Sequence, residues 1–184
     1  MVVQPGLLTV EAFWQQYAGK PFELIRGEAI EIVPTGYLHG STVAWVCRLL
    51  LNFVEKHRLG NVVGGETGFY LGPDTMRAAD VAFIGNEKLN TILKPEKYLP
   101  FPPDLAIEIV SPGDMPGEIQ EKLDLYLEAG TPLVWILFAD LRKVVAHYAD
   151  GRMQSLSVGQ TLDGGDVLPG LKIPVADLFP PEQE

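Results

Sequence analysis

Cysteine is almost absent from this sequence of 184 residues, which contains only Cys47. A single cysteine can form neither an intramolecular disulfide nor a cysteine-based zinc cluster. Cys47 lies at helical spacing from Val43, Val46 and Leu50, so we expect it to be a small core residue. This low cysteine content is typical of proteins in a reducing compartment, and we expect a cytoplasmic protein.

Long apolar runs are also missing. The longest runs from Leu133 to Ala139, which is seven residues, whereas a transmembrane helix needs about 20. The first eight residues contain no cationic region followed by an apolar core. We therefore expect neither a membrane span nor a signal peptide.

Basic residues are few: 14 Lys and Arg stand against 24 Asp and Glu, giving a formal net charge of −10. This balance argues against a protein that coats nucleic acid through a broad basic surface. It leaves open an enzyme that contacts a few phosphates through a metal.

The sequence contains no internal repeat, low-complexity segment or long linker, and we expect one domain over residues 1–184.

Alternating helix and strand signals predict a mixed α/β protein. Apolar residues recur at helical spacing over Ser41–Arg58, and Gly60 follows where a C-terminal cap belongs. Asn61–Leu71 and Met76–Ile84 flank the turn residues Gly72-Pro73-Asp74, which favours one hairpin.

Further along the chain, Leu105–Val110 and Leu133–Phe138 have the composition of buried strands, and a helix is predicted between them over 117–129. The order after residue 40 is therefore α, β, β, β, α, β, with additional strands at both ends of the chain.

Two carboxylates stand in apolar runs where they are not expected. Asp80 is the only charge in Ala78–Ile84, and Glu108 is the only charge in Leu105–Val110. A buried carboxylate requires a cation, a metal or a shifted pKa. The alternative for each acid is a solvent-facing position, or an ion pair with an internal arginine.

Lys122 is the only basic residue of the helix after Glu108, and it lies at the flank of the apolar stripe of that helix. From there its ammonium group can reach the end of the sheet, or it can simply cover apolar surface. Two carboxylates and a lysine together suit one chemistry: Asp80 and Glu108 would hold Mg²⁺, and Lys122 would stabilise charge during phosphodiester hydrolysis. We expect the two carboxylates to lie about 4–7 Å apart.

Other polar residues are weaker candidates. His39 could shuttle a proton or contact DNA, or it could be a polar residue in the loop before the helix. Glu28 and Glu66 are possible additional acids near the metal, or solvated loop residues. Arg26, Arg48 and Arg77 are candidates for a basic rim, whereas Trp14, Trp45 and Trp135 are expected in the core.

The order and spacing of these motifs resemble the Uma-type restriction endonuclease family, a domain of unknown function in the PD-(D/E)XK nuclease superfamily. The resemblance covers most of the chain. The segments that carry it are Phe22–Glu28, His39, Thr67–Gly72, Ala79–Phe83, Pro103–Pro112, Lys122, Tyr126, Ala129-Gly130, Val134-Trp135, Leu168–Leu171 and Asp177–Phe179.

This resemblance implies a restriction endonuclease-like fold with an αβββαβ core. It also implies cleavage of DNA that depends on Mg²⁺ or Mn²⁺, and a homodimer or higher homo-oligomer. The chain departs from the superfamily pattern at Ala79, where a proline is expected, and at Val110, where the lysine is expected. Some members supply that lysine from the following helix, where Lys122 lies.

Three functions therefore remain open. The first is a metal-dependent endonuclease with Asp80, Glu108 and Lys122 as its catalytic residues. The second is a catalytically silent relative that acts as a binding or assembly module, which Val110 and the net charge favour. The third is a metal-dependent hydrolase of another phosphate substrate.

Overall fold

The computed structural model describes residues 7–181. Four α-helices and one short 3₁₀ helix are formed in these residues, and none of the helices is long and apolar enough to cross a membrane. The helices are α1 (Val10–Tyr17), α2 (Tyr37–His57), α3 (Asn86–Leu89), α4 (Pro116–Glu128) and the 3₁₀ helix Val175–Leu178.

Twelve strands are formed in the same part of the chain, and they build three sheets. They are β1 (Phe22–Ile25), β2 (Glu28–Glu31), β3 (Gly60–Gly64), β4 (Gly68–Gly72), β5 (Thr75–Ala78), β6 (Val81–Gly85), β7 (Leu105–Val110), β8 (Leu133–Phe138), β9 (Lys143–Tyr148), β10 (Met153–Ser157), β11 (Thr161–Asp163) and β12 (Lys172–Pro174).

The central sheet has six strands in the order β10-β9-β8-β7-β6-β3. Strands β7 and β8 are parallel and the other neighbours are antiparallel. Because a parallel pair needs a crossover, α4 connects β7 to β8. The mixed α/β architecture is as expected, and β7 and β8 have the predicted bounds.

Helices cover both faces of this sheet. On one face, α2 packs Val46 and Leu50 against a core that includes Ile107 and Trp135. On the other face, α4 packs Leu123 and Tyr126 against Ala106 and Val134. Alternate residues of β7 therefore point to opposite helices, and both faces of the strand are buried.

The predicted hairpin Asn61–Ile84 differs from the observed structure, because each of its arms divides into two strands. The first arm breaks at a turn in which Glu66 has a φ of 68°, and the second breaks at Ala79-Asp80. The outer halves β3 and β6 pair in the six-stranded sheet, whereas the inner halves β4 and β5 pair in a four-stranded sheet of order β2-β1-β5-β4. Asp80 therefore lies where the chain passes from one sheet to the other.

Helix α2 begins at Tyr37, four residues before the predicted start at Ser41. Its N-cap is Gly36, which provides no side-chain hydrogen bond, so the usual sequence signal of a helix start is missing here. The longer helix places His39 within its first turn instead of in a loop. His39 is buried there, with 9% of its surface exposed.

Candidate active site

Glu108 is a buried acid on the interior strand β7, two residues before the C-terminal end of that strand, with 4% of its surface exposed. Its strand β7 is otherwise apolar, and the side chain points toward α4. Lys122 Nζ lies 2.8 Å from Glu108 Oε2, and the Tyr126 hydroxyl donates a hydrogen bond of 3.0 Å to Oε1. Lys122 and Tyr126 are four residues apart on α4, so one face of the helix supplies both donors.

Burial dominates the electrostatics of this group. It raises the pKa of Glu108 to about 7, and the nearby charge of Asp80 adds to this rise, whereas Lys122 opposes it. Burial alone would lower the pKa of Lys122, but the charge and hydrogen bond of Glu108 outweigh it, and the pKa rises. Lys122 is therefore cationic at neutral pH, and Glu108 is close to its midpoint of titration.

Asp80 is held from two sides at the end of the sheet. The backbone N–H of Ile109 donates to Asp80 Oδ2 over 2.7 Å, and His39 Nε2 lies 3.1 Å from the same oxygen. The hydrogen bond to Asp80 raises the pKa of His39 although burial opposes it. His39 Nδ1 is buried and has no hydrogen-bond partner among the described residues.

Strand pairing and a hydrogen bond to β7 bring these two groups together. Val81, the residue after Asp80, pairs with Ile107, and the Asp80 carboxylate accepts the N–H of Ile109, the residue after Glu108. The two acids are close enough that the charge of Asp80 helps to raise the pKa of Glu108. A small pocket at this edge is lined by Glu108, Asp114 and Lys122, among others.

A second buried ion pair lies behind the site. Arg77 of β5 and Glu23 of β1 are joined by a contact of 2.8 Å, and Glu23 also accepts the backbone N–H of Ala78 over 2.9 Å. This pair anchors the segment that leads into Asp80. The expectation that Arg77 lies at a basic rim was wrong, because only 6% of its surface is exposed and its charge is neutralised by Glu23.

The remaining acidic candidates, Glu28 and Glu66, are exposed. Glu28 is exposed on the edge strand β2, and Glu66 is exposed in the turn after β3. Gly64, the last residue of β3, pairs with Val81, which brings that turn to the edge where Asp80 lies. Among the described residues, neither glutamate forms a hydrogen bond or ion pair with His39, Asp80 or Lys122.

The donor set fits a hard divalent cation. Within residues 7–181, no group of three or more His, Cys, Asp or Glu side chains is arranged to hold a metal ion, so the ligand set of a zinc site is not formed there. Mg²⁺ needs only one or two carboxylates because it keeps several waters. Asp80 and Glu108 meet that need: Asp80 Oδ1 has no partner in the described part of the chain, and a carboxylate can accept more than the two hydrogen bonds that Glu108 receives.

The fold has a counterpart among solved structures. The structure matches a solved structure from Anabaena variabilis ATCC 29413, described as a "putative nuclease belonging to DUF820", with a TM-score of 0.79 and 18% sequence identity. The match covers 94% of this chain and 97% of that one. The restriction endonuclease-like αβββαβ fold, with additional strands, is thereby confirmed.

Residues 10–176 match the Uma2 family, described as "Putative restriction endonuclease". The chain belongs to this family. No protein among those with curated functions matches it.

The structure adds residues that sequence analysis did not assign to the site. Tyr126 was named only among the residues that carry the family resemblance and was given no role, although its spacing from Lys122 could have indicated a shared target. Glu23 and Arg77 are 54 positions apart, and no local pattern connects them. Asp114 contributes to the raised pKa of His39, and its position depends on how the loop after β7 folds back.

We predict that Glu108 makes the metal-free protein less stable as the pH rises. Its pKa is about 7 in the folded protein, above its ordinary value of 4.5, so the free energy of unfolding falls as the pH rises between these values. Glu108→Gln removes this titration. Between pH 4 and pH 8, the stability of Glu108→Gln relative to wild type should rise by on the order of 3 kcal/mol.

Urea unfolding in EDTA at both pH values measures this difference. Glu128→Gln, at an exposed position of the same helix, is the matched control and should follow wild type. Parallel pH profiles for wild type and Glu108→Gln would show that Glu108 titrates normally and contradict the prediction.

Proposed function

We propose that this protein is a metal-dependent endonuclease that hydrolyses phosphodiester bonds in DNA. The observation that carries the proposal is the ion pair of Lys122 with Glu108, 2.8 Å long, beside Asp80 at the same edge of the sheet. Two acids that can hold a cation and a lysine that stays charged are the groups that this hydrolysis needs. The family description supports the same class of reaction.

Asp80 and Glu108 are the proposed ligands of Mg²⁺ or Mn²⁺, since carboxylates suit both ions. A bound Mg²⁺ would neutralise charge on the phosphate and lower the pKa of a bound water. Lys122 is placed to stabilise the negative charge that develops on the phosphate oxygens as water adds to phosphorus. One P–O bond then breaks, leaving a phosphate monoester on one strand end and a hydroxyl on the other.

Three further residues are proposed to position the acids. Tyr126 holds one oxygen of Glu108, which fixes the rotation of the carboxylate. His39 and the backbone of Ile109 both hold Oδ2 of Asp80 and leave Oδ1 without a partner among the described residues. Such outer contacts tune metal affinity because they fix the orientation of the ligands.

The contact between Lys122 and Glu108 bears on the alternative of a silent relative. Val110 stands where the superfamily places its lysine, but an ammonium group reaches Glu108 from α4 instead. The site therefore contains a lysine although position 110 is a valine, and this supports an active enzyme. A cytoplasmic location, a single domain over residues 1–184 and a homodimer or higher oligomer stay predictions.

Lys122→Met should reduce DNA cleavage by about 10²–10³-fold, the usual cost of removing one donor that stabilises transition-state charge. The fold should persist, because methionine still covers the apolar flank of α4 and Glu108 can accept a proton. The measurement is nicking of a supercoiled plasmid with Mg²⁺ or Mn²⁺, with the thermal unfolding of each variant recorded beside it.

Glu108→Ala, purified in the same way, is the control for contaminating nucleases. Plasmid nicking by Glu108→Ala at the rate of wild type would refute the proposed function. Full activity of Lys122→Met would refute the role of the lysine.

Tyr126→Phe should weaken metal binding more than it slows the reaction at saturating metal. The Mg²⁺ concentration for half-maximal cleavage should rise by about 10–100-fold, as for other residues that orient a metal ligand. Tyr148→Phe, on β9, is the control and should leave this concentration unchanged. An unchanged Mg²⁺ dependence in Tyr126→Phe would show that the hydroxyl does not position Glu108.

A further inference from the structure

A groove of about 880 Å³ runs along the face of α2 that points away from the sheet. Tyr37, Ser41, Trp45 and Arg48, which recur at helical spacing, form one wall. The other wall consists of the segment after β8 and the prolines at 180 and 181. Trp45 was expected in the core, but it is only partly buried and lines this groove.

The groove lies at the same edge of the central sheet as the active site. Tyr37 and Leu38, which line the groove, immediately precede His39. On the opposite wall, Ala139 and Asp140 directly follow β8. Because β7 and β8 are parallel and Val110 pairs with Phe138, these residues leave the sheet beside the end of the strand that carries Glu108. A polymer bound at the site could therefore continue into the groove.

Arg48 and Trp45 form a preorganised stack inside the groove. The guanidinium carbon of Arg48 lies 4.2 Å from the centre of the Trp45 ring. The indole itself is fixed, since Trp45 Nε1 donates a hydrogen bond of 2.7 Å to the Asp177 carbonyl. An arginine held over an aromatic ring combines an aromatic surface on which bases can stack with a positive charge.

The charge of this groove differs from that of the whole protein. Its described lining contains Arg48, Arg142 and one acid, Asp140, in a chain of net charge −10. The guanidinium of Arg142 already donates hydrogen bonds to the carbonyls of Ala176 and Pro180, so the charge that matters here is that of Arg48. Of the three arginines expected at a rim, Arg77 pairs with Glu23 and Arg26 lies 3.4 Å from Glu121. Arg48 is exposed and has no acidic partner in residues 7–181.

We propose that this groove binds unpaired nucleotides of the DNA strand that the active site cuts, an inference that rests on the proposed function. Bases stack on aromatic rings and guanidinium planes, and phosphates bind the arginine charge. A duplex is disfavoured as the occupant, because duplex binding depends on neutralising many phosphates and Arg48 supplies a single charge. Its volume is that of a small-molecule pocket, about 300–1,000 Å³, which suits a short single-stranded segment.

The test measures binding separately from cleavage. Fluorescence anisotropy in EDTA compares a labelled oligothymidylate with a blunt hairpin duplex of similar length. We expect wild type to bind the single strand more tightly than the duplex. Arg48→Ala should weaken single-strand binding by about tenfold, and the slope of log affinity against log salt should decrease by about 0.7. Arg48→Lys should recover the salt slope but only part of the affinity.

Arg152→Ala is the matched control. Arg152 is also an exposed arginine over an aromatic ring, 4.6 Å from the centre of Tyr148, but it is paired with Asp150 outside the groove. Its replacement should leave single-strand affinity unchanged. Trp45→Leu is a second groove variant, and its thermal unfolding shows whether loss of the bond to Asp177 affects the fold.

Any of three outcomes would overturn the proposal. Wild type could fail to bind the single strand, it could bind the blunt duplex at least as tightly as the single strand, or Arg48→Ala could bind the single strand as tightly as wild type does.

Cleavage assays separate this result from the proposed function. Single-strand binding that requires Arg48, without any cleavage in Mg²⁺ or Mn²⁺, would support the groove and refute the nuclease. Wild-type cleavage with no effect of Arg48→Ala on binding would refute the groove alone.

Discussion

The arrangement of this protein depends on one buried carboxylate. Glu108 lies inside an apolar strand between two helical layers, where an unpaired charge would cost several kcal/mol. Lys122 and Tyr126 each donate to one of its oxygens, and α4 must pack in a single register to deliver both. The packing of α4 against the sheet therefore determines where the charged groups of the proposed active site lie.

A basic side chain also reaches an acid from the helix on the opposite face of the sheet. Helix α2 brings His39 to Asp80, as α4 brings Lys122 to Glu108. The site thus consists of two acids, each held by a basic side chain from a different helix, at a point where the chain changes sheets. The buried pair of Glu23 and Arg77 supports that crossing from the four-stranded sheet. A fold whose interior is mostly apolar concentrates these polar contacts in one place, as expected where groups are positioned for reaction.

Sequence patterns found the parts of this site that depend on local chemistry. Glu108 and Asp80 stood out because each is the only charge in an apolar run of the sequence, and the helical period placed Lys122 at the flank of α4. Contacts between distant segments could not be predicted in this way. Arg77 looks like any surface arginine until Glu23 pairs with it, and the start of α2 has no side-chain cap that would reveal it. The turn at Glu66 divides a continuous strand signal because the two halves join different sheets, which is a property of the topology.

The claim that Asp80 and Glu108 together hold a divalent cation is the centre of this account, and binding of Mn²⁺ tests it most directly. Electron paramagnetic resonance of free Mn²⁺ during titration of the metal-free protein counts bound ions without any need for substrate. We predict saturable binding of Mn²⁺ to wild type, from which Mg²⁺ displaces the Mn²⁺, and loss of this binding in both Asp80→Asn and Glu108→Gln. Saturable binding that survives both substitutions, or no binding by wild type, would contradict it.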